Sequence, residues 1–168
     1  MHVRTAFASM ILAAGLAVAA PAFATELKDP GAHFVMDVPN NWEVKTDGSF
    51  AMAYPQDQTF HLRMQATSHG VGEEEEAERY ALKFLEGHFK EVRVNRHAQH
   101  LNWNNFAGYE IFGSGKLSND APGRFMLLIV VDKKDPKKGA IVVGTGTNAG
   151  FEKHQPGIYE ALHTMRTY

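Results

Sequence analysis

The segment RFMLLIVV at residues 124–131 decides the fold, because its side chains are apolar on both faces of an extended chain. Successive side chains of a strand point to opposite faces, so Phe125 and Leu127 would face one side while Met126 and Leu128 face the other. This pattern is typical of a strand in the middle of a sheet that is covered on both sides. The segment therefore predicts a sheet with helices or loops packed on both of its faces.

The flanking segments predict antiparallel pairing. A charged turn at 132–138 leads into a partner strand at 140–147, and residues 92–101 and 106–117, joined by a turn at Asn104-Asn105, are expected to form a hairpin. Shorter strands are expected upstream at 34–38, 42–45, 50–54 and 59–67. In the last of these, Phe60, Leu62, Met64 and Ala66 point toward a core and His61, Arg63, Gln65 and Thr67 toward water.

Two helices are expected. Apolar residues recur at three-four spacing over 73–89, and the four carboxylates at 73–76 suit a helix N-terminus, with a calcium or cationic-partner patch as the alternative. A closing helix is expected over 156–166, with Pro156 in its first turn. The fold class expected is α+β, a mostly antiparallel β-sheet flanked by helices on both faces.

Residues 1–24 have the pattern of a cleavable secretory signal peptide. Arg4 precedes an apolar run at 6–20, Pro21 breaks that run, and Ala22 and Ala24 supply the small residues that a signal peptidase reads. The run is shorter than the ~20 residues needed to cross a bilayer. We therefore expect cleavage near Ala24, a periplasmic or secreted location, no transmembrane span in the mature chain, and a single domain at 25–168.

Composition narrows the function classes. The chain has 17 basic and 19 acidic residues, and loss of the leader removes one arginine, which takes the formal net charge from −2 to −3. So small a charge argues against a nucleic-acid partner. The absence of cysteine means that an exported domain of this size must be stabilised by apolar burial and a hydrogen-bonded sheet.

The stretch FVMDVPNNW at 34–42, in which an apolar strand runs into a proline and then a tryptophan, resembles the start of PsbP-like domains. The order of the later elements, with a glycine-marked strand at 106–109, is similar to theirs. The resemblance implies an α/β/α sandwich whose members mostly bind other macromolecules, among them an extrinsic photosystem II subunit, a Ran-binding nuclear-import factor and bacterial envelope proteins. It implies no shared active site, and no metal-binding position is carried over.

Motifs for chemistry are weak. Residues 113–116 lack the first glycine and the Ser or Thr of a P-loop, and the glycines at 144–150 are wrongly spaced for a dinucleotide loop. Nothing in the sequence nominates a catalytic residue, and cofactors are not expected. A zinc or copper site assembled from distant histidines is the alternative, although His97 and His100, three apart, would face opposite sides of a strand. Its candidate ligands are His61, His69, His97 and His100.

Two features could contact a partner. The turn at 132–138 carries Lys133, Lys134, Lys137 and Lys138, and Trp103 lies among asparagines. We therefore expect an exported, non-catalytic binding or accessory protein of the cell envelope, which acts through a protein–protein contact surface on another envelope protein. The alternative is a periplasmic metal-binding protein or a hydrolase whose site is assembled from distant His and carboxylate residues.

Overall fold

The computed structural model describes residues 23–67, 72–103 and 105–168. Apart from its last two residues, the expected leader 1–24 lies outside these ranges. In the described part of the chain no helix is both long and apolar enough to cross a bilayer. The helices are α1 (Glu74–Leu85) and α2 (Asn148–His163). The strands are β1 (Phe23–Asp29), β2 (Phe34–Pro39), β3 (Trp42–Asp47), β4 (Phe50–Pro55), β5 (Phe60–Ala66), β6 (Lys90–Trp103), β7 (Phe106–Lys116), β8 (Pro122–Asp132), β9 (Gly139–Thr147) and β10 (Arg166–Thr167).

Seven strands form the main sheet, in the order β3-β4-β5-β9-β8-β7-β6. Every neighbouring pair is antiparallel. The apolar segment 124–131 lies in β8, between β9 and β7, and its side chains from Phe125 to Val131 are buried. The expected hairpin is formed by β6 and β7, and Trp103 pairs with Phe106 beside its turn, of which Asn104 lies outside the described residues.

A second, three-stranded sheet was not expected. Its order is β1-β2-β10, and both pairings are antiparallel. The strand expected at 34–38 belongs here, as β2, rather than to the main sheet. Strand β1 escaped prediction because its sequence, TELKD after Ala24, is mostly polar. Arg166 of β10 fixes this corner, since its guanidinium donates to the carboxylates of Glu26 and Asp37.

Two hydrophobic cores lie on opposite faces of the main sheet. The first is enclosed by α2 and the small sheet and contains Phe34 and Leu128. The second lies beneath α1 and contains Leu85 and Leu127. Adjacent residues of β8 thus enter different cores, as its pattern predicts. Each fully buried large apolar side chain contributes about 1.5–3 kcal/mol relative to an exposed one. The expected fold class, an antiparallel sheet covered by helices on both faces, is confirmed.

Helix α1 is shorter than expected. The prediction of a helix over 73–89 is wrong at its end, because the α-helix stops at Leu85 and the amides of His88 and Phe89 both donate to the Leu85 carbonyl. Gly87, which has a poor helix propensity, lies in this turn. Phe89 is still buried in the second core, so its apolar signal was real but its conformation is not helical.

Helix α2 is longer than expected. The prediction that it begins near Pro156 and reaches residue 166 is wrong, since the helix runs from Asn148 to His163. The Thr147 hydroxyl accepts a hydrogen bond from the Gly150 amide and caps the helix. The helix therefore begins eight residues before Pro156, where it was expected to begin. Pro156 lies inside the helix on its exposed side. Its missing N–H removes one helical hydrogen bond, which the packing of Ile158 and Leu162 offsets.

Candidate functional site

Among the described residues, no helix packs on one half of the α1 side of the main sheet. Helix α1 packs on β6, β7 and β8, whereas β3, β4 and β5 extend beyond it. The inward residues of these strands, such as Ala51 and Leu62, enter the first core, so the alternate residues face the uncovered side. We call this surface the open sheet face. Its side chains, together with one from the last turn of α1 and one from the turn that follows, are Lys45, Phe50, Met52, Tyr54, His61, Arg63, Phe84 and His88.

Arg63 lies at the centre of the open sheet face. Its guanidinium carbon is 4.0 Å from the ring centre of Phe50 and 5.8 Å from that of Phe84. Its Nη1 lies 3.2 Å from His88 Nε2, and His88 Nδ1 lies 3.1 Å from the Phe84 carbonyl oxygen. A carbonyl can only accept, so Nδ1 carries the proton and Nε2 accepts from Arg63. His88 is therefore neutral in this arrangement and brings no negative charge to the guanidinium.

The hydrogen bonds of Arg63 are incomplete. Within the part of the chain that the structure describes, its Nε is buried without a hydrogen-bond partner, and Arg63 forms no ion pair with a carboxylate. Burial lowers the pKa of the guanidinium, which nevertheless stays charged at any physiological pH. A buried donor without an acceptor costs about 1–3 kcal/mol. Arg63 is thus a cation that no carboxylate of the described residues neutralises.

His61 lies beside Arg63 on the same strand face. Its Nε2 is 2.5 Å from the Thr145 hydroxyl oxygen. Burial lowers the pKa of His61, and the charge of Arg63 lowers it further, so the imidazole is neutral at pH 7. The pair does not form a nucleophile–base arrangement that a substrate could reach, because Thr145 is only 3% exposed.

Two depressions on the open sheet face join at Met52 and His61. The smaller has a volume of about 170 Å³ and is lined by Met52, His61, Arg63, Phe84, His88, Val143 and Thr145. The larger, of about 300 Å³, is lined by Lys45, Met52, Tyr54, Gln58, Phe60 and His61. At the edge of the sheet, the Lys45 ammonium lies 3.3 Å from a Glu43 oxygen and is thereby paired. The result is a shallow groove with apolar walls and one unneutralised cation.

The proposed metal ligands are not brought together in the described structure. His97 Nδ1 lies 2.9 Å from a Glu78 oxygen, His100 packs on the Tyr109 ring at 4.7 Å, and His61 is on the open sheet face. Searched over the described ranges, the chain has no cluster of three His, Asp or Glu suited to a metal. His69 lies outside those ranges, so the zinc or copper site stays a prediction.

The expectation that His97 and His100 face opposite sides of a strand is wrong. Both point to the α1 side, where His97 meets Glu78 of α1 and His100 meets Tyr109 of the second core. The physical reason is a bulge, since the β6–β7 register shifts between Arg96 and Gln99. An extra residue in one strand reverses the alternation beyond it.

The residues expected to contact a partner lie at one end of the main sheet. Lys133, Lys134 and Lys137 are exposed in the β8–β9 turn, and Lys138 is partly exposed. The Lys133 amide donates to the Asn105 carbonyl at 2.7 Å, which joins this turn to the β6–β7 turn that follows Trp103. Trp103 is partly buried and packs against the first core and the His163 ring, at 5.3 Å. Their role in binding stays a prediction.

This fold recurs in solved structures of low sequence identity. The Saccharomyces cerevisiae Ran-binding protein Mog1p matches with a TM-score of 0.55 and 6% identity, over 87% of this chain and 96% of that one. The chain shares the fold of Mog1p. A Pseudomonas aeruginosa protein of unknown function has a TM-score of 0.55 and 13% identity, over 80% of this chain and 91% of its own.

A Bacteroides thetaiotaomicron protein matches with a TM-score of 0.53 and 17% identity, over 85% of this chain and 48% of that one. This chain therefore spans about half the length of the Bacteroides protein. The chain matches no protein-family model, and no curated protein sequence matches it. At these identities the matches show the fold alone.

The sequence arguments missed most of the open sheet face. They identified His61 as a water-facing residue and a candidate metal ligand and Arg63 only as a water-facing residue, and they gave no role to Tyr54 or His88. One signal was present, namely that the outward positions 50, 52 and 54 of β4 hold Phe, Met and Tyr. A strand half-exposed to water usually has polar residues at such positions.

Proposed function

We propose that the protein is an exported, non-catalytic binding protein of the cell envelope, a PsbP-like domain whose contact surface for another envelope protein is the open sheet face. One observation carries this proposal. The uncovered half of the sheet has partly exposed Phe50, Met52 and Tyr54 around an arginine that has no counterion in the described ranges. Aromatic residues, methionine and arginine are the types enriched in protein–protein interfaces.

Two further points support it. The signal-like leader supports export, and Mog1p, a protein of similar fold, is by its name a binder of another protein. A catalytic role has less support, because the one close hydroxyl–imidazole pair on this face, Thr145 with His61, is buried at its hydroxyl. The partner expected from the charge of Arg63 is a protein segment that presents acidic side chains.

Site-specific photo-crosslinking tests the contact surface. A photoreactive phenylalanine analogue replaces one residue in each of three variants. These residues are Tyr54 on the open sheet face, Lys134 in the β8–β9 turn, and Gln155, which is exposed on α2. We expect one discrete adduct from position 54 in the exported protein and none from position 155. An adduct from position 134 with none from position 54 would show that the contact surface is the β8–β9 turn, and it would contradict the proposal.

Export is tested separately. Mass spectrometry of protein from the periplasmic fraction of a secretion-competent host should give a chain that begins at Thr25. Retention of an intact chain from Met1 in the cytoplasm would contradict the assignment of the leader. Cleavage at this point leaves β1 with its pairs from Thr25 to Asp29 and removes only the Phe23 pair with Pro39.

A further inference from the structure

Two arginines of this protein are stacked on aromatic rings in the same way but are neutralised differently. Arg96, on the first-core side of the sheet, has its guanidinium carbon 4.0 Å from the Phe112 ring centre, the distance that also separates Arg63 from Phe50. Arg96 lies 3.5 Å from a carboxylate oxygen of Glu110. Arg63 has only the neutral His88 nitrogen. The environment of Arg63 is therefore that of Arg96 without the carboxylate.

The space next to Arg63 fits a carboxylate group. The smaller depression, about 170 Å³, is below the roughly 300–1,000 Å³ of sites that enclose a whole small molecule. It can therefore take a side-chain-sized group but not a cofactor. Phe84, Met52 and Val143 supply apolar walls, and in such surroundings a guanidinium–carboxylate pair is stronger than in open water.

The other charged groups on this face do not take the place of that carboxylate. Lys45 and Glu43 pair with each other at the sheet edge. His61 bonds to the Thr145 hydroxyl, and His88 accepts from Arg63 while donating to the Phe84 carbonyl. None of these contacts supplies a negative charge to the guanidinium.

We propose that the depression beside Arg63 is an anchor pocket for one carboxylate, supplied by an aspartate or glutamate side chain of the bound partner. The guanidinium would donate to the two carboxylate oxygens through Nη2 and the N–H of Nη1 that does not point to His88, since the buried Nε is closed to a ligand. This inference rests on the proposed function, because it names the chemical group by which the open sheet face recognises its partner.

The test is a titration of the ¹⁵N-labelled mature protein with N-acetylglutamate amide, followed by NMR at the Arg63 Nε–H and the His61 and His88 rings. N-acetylglutamine amide, which has the same shape without the charge, and inorganic phosphate are the comparison probes. We expect saturable shifts with the glutamate probe, none with the glutamine probe and weaker ones with phosphate. Equal responses to glutamate and glutamine, or a stronger response to phosphate, would overturn the proposal.

Two variants test whether the paired N–H donors of the Arg63 guanidinium, rather than its positive charge alone, bind the carboxylate. Arg63→Lys keeps the charge and should weaken the apparent affinity at least tenfold, whereas Arg96→Lys on the opposite face should leave it unchanged. Equal affinity in wild type and Arg63→Lys would refute the anchor. If position 54 crosslinks while the glutamate probe gives no shift, the contact face stands and the anchor is wrong. If the glutamate probe binds while position 54 gives no adduct, the proposed function fails on its own test.

Discussion

Replacement of each stacked arginine by methionine tests whether Arg63 is held for binding rather than for stability. Arg63→Met removes a buried donor that costs about 1–3 kcal/mol, and it loses one hydrogen bond to His88 worth about 1 kcal/mol. It also loses a cation–π contact with Phe50 worth about 0.5–1 kcal/mol. Methionine keeps the apolar stem of the side chain on the ring. The free energy of unfolding should therefore fall by no more than about 1 kcal/mol.

Arg96→Met should behave differently. It loses a similar contact with Phe112 and leaves Glu110, whose side chain is only 18% exposed, without its cation. An unpaired charge at this depth costs about 1–3 kcal/mol, so we expect a loss of about 2 kcal/mol. Burial already raises the pKa of Glu110, and loss of Arg96 raises it further. The folded state then holds a proton more readily than the unfolded state, so the loss should shrink as the pH is lowered toward 5.

Urea unfolding of the mature proteins at pH 7.5 measures both effects. With a slope of about 2 kcal/mol per molar urea, the midpoint of Arg96→Met should fall by about 1 M and that of Arg63→Met should stay within about 0.5 M of wild type. A loss for Arg63→Met as large as that for Arg96→Met would show that the fold already satisfies Arg63. Arg63 would then not need a carboxylate from a partner, and the anchor pocket would be refuted.

Three further predictions concern single features. The pKa of His61 is lowered in the folded state, so the unfolded state binds a proton first as the pH falls. The free energy of unfolding should therefore fall as the pH drops below about 6.5. His61→Gln should reduce the difference between the urea midpoints measured at pH 7.5 and at pH 5. Gly108→Ala would place a Cβ 1.9 Å from the Ile129 carbonyl oxygen, and we expect the free energy of unfolding to fall by about 3 kcal/mol. Thermal unfolding measures this effect. Gly48→Ala, whose Cβ meets nothing within 4 Å, is the neutral control. Alanine at all four lysines of the β8–β9 turn should change the free energy of unfolding by no more than about 0.5 kcal/mol, and a much larger fall in the urea midpoint would show that the turn is structural.

Prediction from sequence succeeded where one local pattern determined the outcome. The two-sided apolar run of β8 required a central position in the sheet, and the three-four spacing of Ala77, Ala81 and Leu85 required a helix with one buried side. It failed where tertiary contacts decided. The start of α2 depends on the Thr147 cap and on Gly150, which lies against the Thr59 carbonyl, whereas the sequence drew attention to Pro156 instead.

The open sheet face could not be derived from sequence for a related reason. The sequence between Ala66 and Glu74 does not predict which strands α1 will cover. The position of α1 decides which outward-facing residues of the sheet are exposed to solvent. His88 and Arg63 are 25 positions apart and meet only because α1 ends beside β5. The four histidines named as metal ligands were chosen by residue type alone, so the described structure gives His61, His97 and His100 three different environments.

The number of elements explains why one face must stay partly open. Seven strands about 4.8 Å apart make a sheet roughly 29 Å wide, whereas a helix about 10 Å in diameter covers only two or three strands. The first-core face is closed by α2 together with the small sheet, but of the described elements α1 alone packs on the other face. An uncovered half is thus imposed by the architecture, while its composition is not. The edge strand β3 meets the same solvent with Glu43 and Lys45, and a surface with no partner could have used such residues on β4 as well. Because β4 instead presents Phe50, Met52 and Tyr54 beside an unneutralised Arg63, its composition is accounted for by a surface that a partner covers.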